Sequence, residues 1–164
     1  MRRSELERIQ WGPEPGQPLG GLGSVRIVAR CQDNCEDVLA RAREVLLCVC
    51  SDTDIPLSDP GKWRHCLPDW FVEQFVREPT LEENAQYLLL PYEERMKPER
   101  NKWTLSSWLY WFQPGNRHWF WWDAECIDKD TLVVAIEVDE WPFPWDALKW
   151  LLTAAGAQAV EAEK

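Results

Sequence analysis

The sequence predicts an α+β fold: a small antiparallel sheet, made of an N-terminal strand and a C-terminal β-hairpin, covered by helices. Three observations predict it. Residues 24–30 alternate apolar and polar side chains at the period of a strand. Residues 117–139 hold two further alternating runs on either side of Asp128-Lys129-Asp130, the pattern of an antiparallel hairpin. Between and after these runs, apolar residues recur at helical spacing.

In chain order, Gly12-Pro13-Glu14-Pro15-Gly16 through Gly23 mixes fixed and permissive backbones. Residues 1–23 therefore read as a flexible N-terminal tail, and residues 24–164 as a single α+β domain. In the first strand Val25, Ile27 and Ala29 share one face. Asp33 or Asn34 then caps a helix carrying Val38, Ala42, Val45, Leu46 and Val49. Six prolines between Pro56 and Pro98 cut the middle into short pieces. Helices are expected there over residues 69–77, burying some of Trp70, Phe71, Gln74 and Phe75, and over 80–89, burying Leu81, Ala85, Leu88 and Leu89. Thr104 caps a third, with Leu105, Trp108, Leu109 and Phe112 on one face.

The hairpin register follows from cost. A three-residue loop places Ile127 opposite Thr131 and puts Phe120, Trp122, Ala124 and Cys126 with Leu132, Val134, Ile136 and Val138. A two-residue loop would set Asp123 and Glu125 among those aliphatics, burying unpaired carboxylates. The three-residue loop requires Asp130 in the left-handed region, which Asp tolerates. After Trp141-Pro142-Phe143-Pro144, a helix over 145–155 buries Leu148, Leu151, Leu152 and Ala155, and Gly156 stops it.

Composition narrows the function classes. The 164 residues carry a net charge of −10, which disfavours a phosphate-dominated nucleic-acid interface and suits a basic partner. No apolar run reaches the length of a bilayer crossing, and the charged start lacks the apolar core of a signal peptide, so a cytoplasmic protein off the membrane is expected. In that setting the six cysteines read as reduced thiols. Cys31-Gln32-Asp33-Asn34-Cys35 spaces two thiols as a zinc half-site would, but Cys48-Val49-Cys50 does not, and His65 and Cys66 complete no pattern. No metal and no cofactor are therefore expected.

Twelve tryptophans are an excess that needs a reason. In the chosen register Trp119 and Trp121 lie opposite the aliphatic layer, near Asp123, Glu125, Glu137 and Asp139. Covering of that face by the helix ending at Phe112 would make it structural. Left open, with Trp111 and Trp141 added, it forms an acidic, Trp-lined surface for a basic protein partner, for instance as an immunity-type protein. The same residues could instead wall an aromatic pocket for a small ligand or substrate, or a homodimer could cover the face. No nucleophile elbow, phosphate loop or metalloprotease helix is present, and no catalytic residue is assigned.

Trp103-Thr104-Leu105-Ser106-Ser107-Trp108-Leu109-Tyr110-Trp111-Phe112, Trp119-Phe120-Trp121-Trp122-Asp123-Ala124 and Trp141-Pro142-Phe143-Pro144-Trp145 resemble the tryptophan pattern of a group of small bacterial proteins of unknown function. The resemblance covers about the last 60 residues. It implies a bacterial origin and no activity.

Overall fold

A computed structural model describes residues 2–51, 54–97 and 102–163. In chain order its elements are α1 (Glu5–Trp11), β1 (Gly23–Arg30), α2 (Cys35–Val49), α3 (Pro60–Cys66), α4 (Asp69–Val72), α5 (Leu81–Leu88), α6 (Tyr92–Arg95), α7 (Leu105–Tyr110), β2 (Trp119–Asp128), β3 (Thr131–Val138), α8 (Asp146–Ala154) and β4 (Ala159–Ala162). They fall into two compact units. One is Met1–Asp54 with Pro114–Lys164, and the other is Ile55–Gln113.

The first unit contains a four-stranded antiparallel sheet in the order β2-β3-β1-β4. With α2 after β1 and α8 after β3, this is the βαββαβ order of the ferredoxin-like arrangement. Val25, Ile27 and Ala29 of β1 lie on the face of Leu132, Val134, Ile136 and Val138, opposite the face of Arg26 and Arg30. Leu148, Leu151, Leu152 and Ala155 are fully buried, and so are Val38, Ala42, Val45 and Leu46 of α2. Removing those aliphatic surfaces from water is the main force holding the layers together. The α+β class and the three expected strands are present, and β4 is an addition. Only four residues long and lying after Gly156, it carries too few residues to show a strand period.

The N-terminal segment expected as a tail contains α1. Ser4 and Glu7 form a complete capping box, and Ile9 is fully buried. α1 lies against β2, an edge strand whose outward backbone groups need partners. The Glu5 carboxylate accepts the Trp121 N–H at 2.7 Å, and Arg8 Nε donates to the Trp121 carbonyl at 3.1 Å. Two side chains thus stand where a neighbouring strand's backbone would.

The hairpin differs from expectation at two places. Cys126 opposes Leu132 and Ala124 opposes Val134, as the register argument requires, but Asp128 rather than Ile127 opposes Thr131. Asp130 does not take the left-handed position. The Asp128 carboxylate accepts the Asp130 N–H at 2.8 Å and closes the turn, while Asp33 takes a φ of 58° in the β1–α2 connection. The second irregularity is a β-bulge at Trp122: Trp121 opposes Ile136, and Asp123 opposes the next residue, Ala135. One extra residue reverses the facing of everything N-terminal to it.

Cys35 and Cys126 form a disulfide between the start of α2 and β2, which corrects the expectation that all thiols are reduced. Backbone bonds run alongside it, from the Cys31 N–H to the Asp130 carbonyl at 2.7 Å and from the Cys35 N–H to the Lys129 carbonyl at 3.1 Å.

The second unit is organised around aromatic rings. Trp63, Phe71 and Trp108 are buried, with Phe71 edge-on to Trp108 at 4.8 Å and to Phe75 at 5.0 Å, and Trp108 at 4.4 Å from Phe112. Thr104 caps α7, and Leu105, Trp108, Leu109 and Phe112 are buried together. The helix expected over 69–77 is only α4. The helix expected over 80–89 forms as α5, capped by Thr80 and Glu83, but it buries none of its residues.

Candidate functional site

The bulge decides the position of the tryptophans. Trp119 and Trp121 are 1% and 0% exposed and face the same way as Ile136 and Val138, not the opposite way. Their placement on an open acidic face is corrected: the carboxylates stay outside while the indoles turn in. Asp123 and Glu125, beyond the bulge, oppose Ala135 and Val133 on the outer face. With Trp122, Leu19 and Arg26 they border a shallow depression of about 380 Å³. Arg8 stacks on the Trp122 ring at 5.1 Å.

The other expected site residues lie apart. Glu137 accepts the Gly20 N–H and faces Arg2 at 3.7 Å, so it holds down the N-terminal segment. Asp139 and Glu140 flank His118, at 2.9 Å from Nδ1 and 3.2 Å from Nε2. Trp111 belongs to the second unit, where it caps α7 edge-on to Tyr110. Trp141 remains at the surface of the first unit, 69% exposed.

A cluster of charged and titratable side chains adjoins the α1 contact. Arg117 grips Glu5 with both guanidinium nitrogens, at 2.8 and 2.5 Å, and lies over the Trp119 and Phe120 rings. The Cys50 thiol adjoins this pair. Burial pushes it up to about 12, a shift that neighbouring Glu5 reinforces and Arg117 opposes. Such a thiol stays protonated and is a poor nucleophile. Burial, with Asp130 nearby, also raises Cys31. Among the described residues no group of three or more His, Cys, Asp or Glu is placed to hold a metal ion.

The feature with the geometry of a receptor lies at the other edge of the sheet. β4 pairs with β1 from Arg30 to Ile27, and the Glu163 N–H extends the ladder to the Arg26 carbonyl at 2.8 Å. Antiparallel alternation makes Ser24 the next residue whose N–H and C=O point to that edge. There β1 opens onto a cleft of about 710 Å³ walled by Trp141, Pro142, Phe143 and Trp145, with Ala162 and Glu163 at its end. The chain turns sharply around a cis Trp141–Pro142 bond, and Trp141 meets Phe143 at 5.5 Å. Of these wall residues Trp141 is the one the sequence marks as a candidate binding residue. The Trp-Pro-Phe-Pro-Trp string, aromatic rings fixed by prolines, is the signal that could have supplied the rest.

Among the described residues no helix is long and apolar enough to cross a membrane. Comparison with protein families, curated proteins and solved structures gives no match.

Proposed function

We propose that the chain is a non-enzymatic protein-binding domain that receives an extended, basic segment of a partner along the open end of β1. The observation that carries this reading is that, among the described residues, none pairs with Ser24 on that edge of β1, while aromatic walls stand beside it. An added strand gains main-chain hydrogen bonds from the edge, and alternate side chains enter the flanking pockets. Basic side chains suit the surroundings. Residues 119–164 carry ten acidic groups against three lysines, and an exposed indole such as Trp141 attracts a cation over its face.

A catalytic or small-ligand reading finds less support in the same cleft. The acidic side chain bordering it, Glu163, is ion-paired with Arg26 at 3.2 Å rather than converging with other carboxylates. A cytoplasmic setting would favour reduced thiols at Cys35 and Cys126, whereas an oxidising one would keep the bond between them. Alkylation of the protein in intact cells followed by mass spectrometry distinguishes a cytoplasmic from an oxidising location.

Selection from a random peptide library displayed on phage tests the binding reading. The expected outcome is a set of extended sequences enriched in Lys and Arg. Their binding should weaken at least tenfold in Trp141→Ala and shift the amide resonances of residues 24–26. Selected peptides without basic residues, or binding indifferent to Trp141→Ala, would refute it.

A further inference from the structure

The aromatic corner of the cleft has a chemistry of its own. Trp141 and Phe143 meet at 5.5 Å between ring centroids with their planes tilted by 50°, and Trp145 lines the same cleft. Ring faces attract cations, and cations of this unit already cover several of its rings. Arg8 stands 5.1 Å from the centre of Trp122, Arg117 stands 4.9 Å from that of Trp119, and Lys149 stands 5.9 Å from that of Trp145. Among the described residues no cation of the chain stands over Trp141 or Phe143.

We infer that this corner takes a quaternary ammonium group, carried as a trimethylated lysine on the partner's extended segment. The inference rests on the strand-edge reading, since Ser24 and the aromatic walls line one cleft. Which cation fits is decided by the acceptors left over. Glu163, the carboxylate at the end of the cleft, is ion-paired with Arg26 at 3.2 Å, so the two neutralise each other. The outward N–H and C=O of Ser24 go to the main chain of the segment. A primary ammonium is strongly hydrated and carries three N–H donors, so it would leave water for a corner with few acceptors. Trimethylation removes the donors and keeps the charge. The methyl groups then pack on the apolar walls while the charge faces the rings.

Two probes test this. Choline alone, followed through the Trp141 indole N–H resonance, should bind saturably and about tenfold more tightly than its uncharged tert-butyl analogue. A phage-selected peptide resynthesised with trimethyl-lysine at each lysine in turn should gain about tenfold in affinity at one position. Phe143→Leu, which keeps an apolar side chain but removes a ring face, should abolish that gain while the peptide still shifts the amide resonances of residues 24–26. Choline binding no better than its uncharged analogue overturns the inference, whatever the peptides do. Peptides that engage residues 24–26 but gain nothing from trimethyl-lysine at any position also overturn it, and leave the strand-edge reading standing. Choline binding with no peptide at residues 24–26 removes the strand-edge reading, and with it the assignment to a lysine of that segment.

Discussion

Trp122 is the residue on which the reading of the hairpin turns. Near the loop, the cost of burying Asp123 and Glu125 fixed their side of the ribbon, and they do lie outside. Past Ala124, the sequence Trp119-Phe120-Trp121-Trp122 is aromatic at every position, so alternation offers no sign of which rings turn inward. The bulge lets both preferences be met, with acids out on one side of it and the larger rings in on the other. The tryptophan excess is thereby partly explained: Trp63, Trp108, Trp119 and Trp121 are core side chains. Trp121→Ala should consequently destabilise the fold by about 3–5 kcal/mol in chemical denaturation, the range for removing a buried large aromatic. A change below about 1 kcal/mol would mean that the indole contributes little packing.

At the scale of elements, strong periodicity was legible and context was not. β1, α2, α7 and α8 occupy nearly the expected residues because their apolar faces repeat at one clear period. α1 stands outside the expectation because the Gly- and Pro-rich residues after it are the stronger local signal. Ser4-Glu5-Leu6-Glu7 is nevertheless a capping-box sequence, and it was the available signal. α5 was legible as a helix while its exposure was not, since an apolar stripe does not say what covers it. α1 also carries a prediction, because one of its two side-chain contacts with the β2 backbone is a carboxylate. Glu5 pairs with Arg117, whose side chain is 11% exposed, and accepts the Trp121 N–H. Glu5→Ala removes a charged acceptor of both the Arg117 guanidinium and the Trp121 N–H, so a loss of about 1–3 kcal/mol is expected. Faster hydrogen exchange of the Trp121 amide should accompany it. Unchanged exchange would show that α1 does not secure that edge.

At the scale of the molecule, the antiparallel sheet with helices could be reached from the sequence, but its four-strand order could not. That order depends on β4 and on a long-range pairing between β1 and β3 that local patterns do not encode. The disulfide was equally out of reach. Cys35 and Cys126 are 91 positions apart, and only the docking of the hairpin turn on the β1–α2 connection brings them together. Restricting an unfolded loop of that length contributes up to about 4–5 kcal/mol in the chain-entropy description. Adding reductant, or replacing both cysteines by serine, should therefore lower unfolding stability by about 2–5 kcal/mol. Equal stability with and without reductant would show that the cross-link does not constrain the unfolded chain.

The same bond makes residues 35–126 a closed covalent ring that contains the entire Ile55–Gln113 unit. A protease that severs one peptide bond inside this ring opens it without releasing a fragment. The two pieces travel together until a thiol reagent parts them.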